Sequence, residues 1–400
     1  MSATGASLPA PPQPREAGAL RIGVLGLGMA GAVMAPVIAT HPRTVLAAAA
    51  DLHPALRARV ERDHGIPTHA DAAALLARPD LDAVYIATPH QFHREHAELA
   101  AQHGKHVILE KPMALSLADC DAITSALARA GCVLVVGHTH SFDPAVAFIR
   151  AGRQRGDWGR LSLLAMWNYT DFMYRPRRPE ELDTAQGGGV LFNQLSHQVD
   201  VARAIAGTPV RAVRAMAAIL DPTRPTEGNC NAFLDFADGA TASLVYSGYD
   251  RFDSNELHGW INATGRHKTA QHGTTRATLR ALPSAAAEAQ LRQERYSYGG
   301  GFIAGAPEQP PHFGLYTASF EHADVRVAPH GVTVYDDAGR HDIALPGGSG
   351  GRGEVLDEFC DAVAGRAPAW HDGPFARGTV ATCLAIQRSA RARREVLVEN

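Results

Sequence analysis

The segment that most restricts the fold is Gly26-Leu-Gly-Met-Ala-Gly31, because it follows an apolar run, Arg21–Leu25, directly and opens a helical stretch. Glycines at this spacing permit a tight turn, close approach of backbone to a pyrophosphate, and close packing of a helix on a strand. From Leu20 to about Val136, apolar runs alternate with helical stretches, and Arg21–Leu25, Val45–Ala50, Ala83–Ala87, His106–Leu109 and Val133–Val136 are the predicted strands. This is the βαβ pattern of an α/β Rossmann domain, a doubly wound parallel sheet. Leu117–Ala130 is predicted helical, with Ser116 and Asp119 as a capping box and Gly131 just past its end.

After Phe142-Asp143-Pro144 the pattern changes to longer alternating runs: Leu161–Tyr169, Val210–Leu220, and Ala232–Phe236 joined through Asp238-Gly239 to Thr241–Tyr246. Asp-Gly between alternating runs marks a hairpin. The expectation is an α+β C-terminal domain with a large, mainly antiparallel open sheet. The predicted organisation is a disordered tail over residues 1–19, a dinucleotide-binding domain over 20–140, and a substrate-binding and oligomerisation domain over 141–400. Within the last, residues 266–313 read as an irregular insertion, either surface padding or a lid or subunit contact. Helices covering only one face of the sheet would leave the other for a homodimer or homotetramer.

A net charge of -3, from 38 basic and 41 acidic side chains with no basic block, gives no footprint for nucleic acid or anionic membrane. A small-molecule substrate is the expected partner. The five cysteines are scattered without a C-x-x-C pair, which suits reduced thiols in the cytoplasm. No run is long enough to span a bilayer.

Asp51 ends the second predicted strand, 20 residues beyond Gly31. A carboxylate there accepts ribose hydroxyls and repels a 2′-phosphate, so NAD is the expected cofactor and NADP the less favoured one. Lys111 closes the strand-like segment His106-Val-Ile-Leu-Glu-Lys-Pro112, where open α/β sheets bind ligands. A third element, Gly187-Gly-Gly189, leads into a helix on which Leu191, Leu195, Val199, Ala202 and Ala206 form an apolar face, and Asn193, His197 and Asp200 a polar row. The three glycines allow close approach of the backbone to another group, which favours a cleft. His138 and His140 would alternate on a strand and point the same way, yet with 20 histidines in the chain such a pair arises by chance, and no metal is expected.

Taken together, Gly26–Gly31, Ala87-Thr88-Pro89, Glu110-Lys111-Pro112, Phe142-Asp143-Pro144 and Gly187-Gly-Gly189 leading to His197 and Asp200 resemble the glucose-fructose oxidoreductase, inositol dehydrogenase and rhizopine catabolism (Gfo/Idh/MocA) family from about Leu20 onward. The resemblance implies dinucleotide contacts at Gly26, Gly28, Met29, Ala30, Gly31, Asp51, Thr88, Pro89, His90, His93, Glu110 and Lys111. Four positions depart from the family's pattern: His90 and Ser141, Asn193 where aspartate is usual, and Leu195 where glycine is usual. Asp171–Pro179, Gly189–Asp200 and Pro311-His-Phe-Gly314 are similar to the phthalate 4,5-cis-dihydrodiol dehydrogenase branch, which implies oxidation of a carboxylated cis-dihydrodiol to a catechol.

On that reading His197 is the candidate general base, since neutral imidazole is available near neutral pH. Lys111 would stabilise developing alkoxide charge, and Asp200 would orient His197. Asn193 cannot ionise and is expected to position the substrate. Arg175, Arg177 and Arg178 suit a carboxylate, at least one of them reaching the pocket, while Trp167 and Tyr169 share a strand face and could meet a planar ring or pack in the core. The rival readings are a sugar or cyclitol dehydrogenase of the same fold and a dinucleotide-binding sensor without turnover.

Overall fold

The computed structural model describes residues 18–137, 139–301, 307–348 and 350–399. The expected tail up to residue 17, His138, and residues 302–306 of the expected insertion lie outside the described residues. The first sheet holds β1 (Leu20–Leu25), β2 (Thr44–Ala50), β3 (Thr68–His69), β4 (Ala83–Ile86), β5 (His106–Glu110) and β6 (Leu134–Gly137), all parallel in the order β3-β2-β1-β4-β5-β6. Helices α1 (Met29–Thr40), α2 (Pro54–His64), α3 (Ala72–Leu76), α4 (His93–Gln102) and α5 (Leu117–Arg129) connect them. Strand order reverses between β1 and β4, so the crevice beyond their carboxyl ends is the ligand position of this topology. Ile86, Ile108 and Leu109 are fully buried between helical layers, each contributing about 1.5–3 kcal/mol.

The second sheet has nine strands: β7 (Leu161–Tyr169), β8 (Val210–Ala218), β9 (Asn229–Phe236), β10 (Thr241–Ser247), β11 (Leu315–Phe320), β12 (Ala323–Ala328), β13 (Gly331–Asp336), β14 (Gly339–Ala344) and β15 (Val396–Leu397). All its pairings are antiparallel except β7 with β10. The Asp238-Gly239 hairpin forms as its chemistry requires, with Gly239 at φ +89° and Thr241 opposite Asp235. The remaining helices are α6 (Pro144–Arg155), α7 (Ser196–Ala206), α8 (Thr274–Arg280), α9 (Ala285–Tyr296), α10 (Arg352–Val363) and α11 (Gly373–Ala392). Alternation along β7 buries Leu164, Met166 and Asn168 and leaves Leu163 exposed on the other face, beside Phe233 and Met216.

Two expectations about local structure are corrected. The chain from Thr139 to Phe142 is a 3-10 turn after β6, so His140 does not sit on a strand. Residues 266–313 are not an irregular loop throughout, because they contain α8 and α9. Ser284 caps α9 by accepting from the Ala287 N–H, a start signal hidden in a polar, alanine-rich stretch.

Candidate active site

The turn after β1 tests whether the fingerprint fits a dinucleotide. A Cβ on Gly31 would lie 1.9 Å from the Gly26 carbonyl oxygen, and one on Gly26 would lie 2.8 Å from that of Ala87. These glycines pack the turn against α1 and β4. A Cβ on Gly28 would meet nothing within 4 Å. That open side, at the uncapped start of α1 beside Met29 and Ala30, is where a pyrophosphate would meet helix N–H groups. Asp51 braces the turn: Oδ2 accepts from Leu27 N at 2.7 Å, and Oδ1 from His53 N at 2.8 Å. The half-exposed carboxylate keeps lone pairs for ribose hydroxyls.

The next loops close the floor. Thr88 Oγ1 lies 3.0 Å from His96 Nδ1, and Pro89 begins the turn that presents His90. His93 is fully buried, its Nε2 3.0 Å from the Thr88 oxygen and its Nδ1 3.1 Å from the Pro112 oxygen. It ties the loop after β4 to the loop after β5, so the expected cofactor contact is replaced by a structural one. Burial holds its pKa at about 4 against the raising effect of those carbonyls. Burial, followed by His93, Lys111 and Arg178, also lowers the pKa of His90 well below the usual range.

Lys111 stands at the end of β5, before a cis peptide to Pro112. Its Nζ donates to the main-chain oxygen of Asn193 at 3.0 Å. Burial pushes its pKa down, with the Arg177 charge adding to the effect and Glu110 opposing it. Glu110 itself accepts from the Tyr85 hydroxyl and from Lys111 N, so it braces the lysine rather than facing a ligand alone.

The helix carrying His197 begins with a π-turn, Leu191–Leu195, and continues as α7. A π-turn is wider than an α-turn, so Asn193 falls out of line with His197, and the expected polar row breaks there. The Asn193 amide donates to the Gly187 and Gly189 oxygens at 2.7 and 3.0 Å, which assigns its side chain to the glycine turn instead of the substrate. The glycines themselves approach protein groups: a Cβ on Gly187 would meet Leu115 at 2.6 Å and His90 Nδ1 at 3.2 Å. Apart from Arg203, every residue of α7 is buried, His197 and Asp200 included. Asp200 exerts its charge on Arg203 and Cys383, toward α11.

Around His197 the structure assembles residues that the sequence pattern did not connect with it. The His140 ring lies against it, centroids 5.0 Å apart, and Phe313 covers both rings at 4.6 and 4.8 Å. Tyr246 donates to Gln194 Oε1 at 2.9 Å, and Gln194 Nε2 donates to the same Asn193 oxygen that Lys111 uses. Tyr246 alternates inward on β10, a signal visible in the sequence; the rest are brought together only by folding. Ser141, His371 and Glu358 form a chain with hydrolase-like order, at 2.6 and 2.9 Å. Ser141 and His371 are wholly buried, so this chain ties the 3-10 turn to α10 and offers no substrate access.

The arginine loop is compensated by carboxylates. Arg175 pairs with Asp171 at 2.8 Å, and Arg177 stacks on Phe172 at 3.7 Å with Glu181 at 3.8 Å. Burial brings the Arg177 pKa down to about 10, and its charge reaches Lys111. Arg178 contacts Glu180 and Glu181. Trp167 and Tyr169 do not join the site. Their neighbour Asn168 pairs with Tyr246 on the helix-covered face, so these two rings point to the opposite face, where Tyr169 packs on Phe252 at 5.6 Å.

The expected surface loop is a strap between the two halves of the site. At one end Glu288 pairs with Arg224 at 2.8 and 2.9 Å and accepts from Arg177 N, while Arg292 pairs with Glu181. At the other end Tyr298 N donates to the Leu27 oxygen at 2.9 Å, and Ser297 bridges Gly28. The Tyr298 ring is buried against the first domain, its hydroxyl 2.7 Å from His64 Nε2.

Comparison with known proteins agrees with this geometry. Residues 20–138 match an oxidoreductase family with an NAD-binding Rossmann fold, and residues 146–270 match the GFO/IDH/MocA C-terminal domain. The chain is 40% identical over 375 residues, 92% of its length and 94% of the relative's, to a 1-carboxy-3-chloro-3,4-dihydroxycyclohexa-1,5-diene dehydrogenase of Comamonas testosteroni. It is 28% identical to the scyllo-inositol 2-dehydrogenase (NAD(+)) of Bacillus subtilis (strain 168), over 57% of this chain and 67% of that one. A crystal structure from Bordetella bronchiseptica RB50, assigned as a dehydrogenase, matches with TM-score 0.90 and 47% identity, covering 94% of this chain and 99% of that one. Levoglucosan dehydrogenase in complex with NADH and levoglucosan shares the fold at TM-score 0.72 and 19% identity, covering 95% of this chain and 100% of that one.

Proposed function

The chain belongs to the Gfo/Idh/MocA oxidoreductase family, and on that premise we propose that it is an NAD-dependent dehydrogenase of a carboxylated cis-dihydrodiol, such as phthalate 4,5-cis-dihydrodiol, yielding the catechol. The observation that carries the reading is the Lys111 ammonium held on the Asn193 oxygen, at the start of the helix that bears His197. Bound NAD supplies the hydride acceptor. His197 takes the hydroxyl proton as general base, Lys111 stabilises the developing alkoxide, and Asp200 adds a carboxylate to the same buried helix. Burial strengthens these charge effects because less water screens them.

The carboxylate preference is supported by Arg177, whose guanidinium charge is felt at Lys111, and by the relative's carboxylated ring diol. NAD over NADP is supported by the Asp51 carboxylate facing the fingerprint. The exposed Leu163, Met216 and Phe233 on one sheet face support a homodimer or homotetramer, which analytical ultracentrifugation measures. Among the described residues no helix is long and apolar enough to cross a membrane.

The test follows NADH absorbance with carboxylated cis-dihydrodiols beside inositols and simple sugars, with NADP in a parallel series and Lys111→Ala as control. Faster turnover of an inositol or sugar per unit KM would favour the cyclitol reading, supported by the inositol dehydrogenase relative, and overturn this one.

A further inference from the structure

Alcohol oxidation delivers a proton to a base, and a base as buried as His197, 8% exposed, needs a nearby counter-charge to hold it. The His140 ring meets His197 nearly at right angles, 84°, with centroids 5.0 Å apart. From its other side His140 is gripped by a carboxylate: Nδ1 lies 2.9 Å from Oδ2 of Asp143, which is 1% exposed. Asp143 stands at the N-cap of α6, where an aspartate ordinarily accepts from the helix's first N–H groups. It makes no such capping bond and is turned onto the imidazole instead. Phe313 packs against both histidine rings, at 4.6 and 4.8 Å.

We propose that His140 and the buried Asp143 form an imidazole–carboxylate pair that positions His197 and supplies the negative charge against which His197 takes up the substrate's hydroxyl proton. This rests on His197 being the general base. The carboxylate accepts from Nδ1–H, which fixes the tautomer and orientation of His140. In the reaction the hydroxyl proton moves to His197, the carbon's hydride leaves to the nicotinamide, and the C–O bond becomes a carbonyl. His140 and Asp143 keep their proton count, and His197 then loses its proton to solvent. Among the described residues, the groups facing the pair are His197 from α7, His312 just before β11, the Tyr316 hydroxyl on β11, and Ser141 with His371 behind the turn. Asp143 is the carboxylate whose charge His312 and Tyr316 register.

Asp143→Asn keeps the shape and the acceptor oxygen and removes the charge. The expected result is a fall in kcat of about tenfold, with KM moving less than about twofold, and a shift of the acidic limb of the kcat–pH profile, where His197 protonates, to lower pH by on the order of one unit. Asp143→Glu restores the charge and recovers part of the rate. His140→Gln, which can still donate to Asp143, serves if Asp143→Asn does not fold; it should lower kcat without that shift. In Asp143→Asn, a lower melting temperature with an unmoved pH midpoint would make the pair merely structural and overturn the proposal, as would wild-type kcat in His140→Gln. Histidine ring resonances, with His197 assigned through His197→Gln, give a second readout. An Asp143→Asn shift of the His197 titration in a protein that oxidises none of the alcohols would sink the dehydrogenase reading and leave the charge coupling standing.

Discussion

Lys111 Nζ lies 3.0 Å from the main-chain oxygen of Asn193, four residues before His197. The contact joins the loop after β5 to a π-turn of the second domain, where a carbonyl stands off the α ladder and can accept from a side chain. Gln194 shares the same oxygen and is itself held by Tyr246. The cation is therefore set by backbone, and the ammonium keeps two further donors beyond that bond.

Lys111→Ala should lower kcat by about 10²–10³, the usual cost of removing one donor to a developing oxyanion, while dinucleotide affinity changes little. Steady-state kinetics and NADH fluorescence titration check both halves. Retained turnover would remove Lys111 from the mechanism.

The fingerprint glycines should separate by role. Gly31→Ala places a methyl 1.9 Å from a carbonyl oxygen that cannot move freely, so α1 must shift and the melting temperature fall. Gly28→Val adds its side chain to open space, so the fold should keep its stability while NADH binding weakens at least about tenfold, a loss of about 1.4 kcal/mol. Calorimetry with fluorescence titration distinguishes the two; equal destabilisation by both would contradict these assignments.

The strap should retain the dinucleotide. Glu288→Ala leaves Arg224, 5% exposed, without its bidentate partner, at a cost of about 3–5 kcal/mol to the docked segment. Stopped-flow displacement of NADH should show a faster off-rate, and limited proteolysis should cut within residues 285–301. An unchanged off-rate would make the strap a scaffold only.

Acid should destabilise the fold through buried neutral histidines. His258 is 1% exposed against His312, ring centroids 3.9 Å apart, and burial together with His312, Arg326 and His330 lowers its pKa to about 2. Below about pH 6.5 the unfolded chain binds a proton there that the folded chain does not, so this stability is complete above that pH and lost as pH falls. The slope is about 1.4 kcal/mol per pH unit for each such group, and His93, with a pKa held at about 4, adds in the same sense until that value. Urea midpoints measured from pH 7.5 to 5 should fall, and less steeply in His258→Phe; a flat profile would refute the linkage.

Much of the fold was legible because strands and turns carry local signals. Glycine spacing after β1, alternation along β7, and Asp-Gly between β9 and β10 each report a backbone requirement satisfied within a few residues. The same local reading left Trp167 and Tyr169 open between a ring contact and the core, since alternation says that two rings share a face but not which face the helices cover. It misjudged Asn193 for a related reason: ideal α spacing was assumed, and the π-turn breaks it.

By itself the sequence determined the parallel first sheet, the glycine turn beside Asp51, and the presence of a lysine at a strand end and a histidine on a buried helix. Those follow from propensity, periodicity and backbone freedom, which act over short spans. Only the tertiary structure decided that Lys111 meets the Asn193 oxygen, that Asp143 grips His140 beside His197, and that Tyr298 reaches back to Leu27. The Lys111 and Tyr298 contacts join residues far apart in the chain, as does the packing of His140 on His197, and the Asp143 grip depends on a cap turned away from its helix. Their energies come from burial and from charges placed by packing, quantities that no short window of sequence contains.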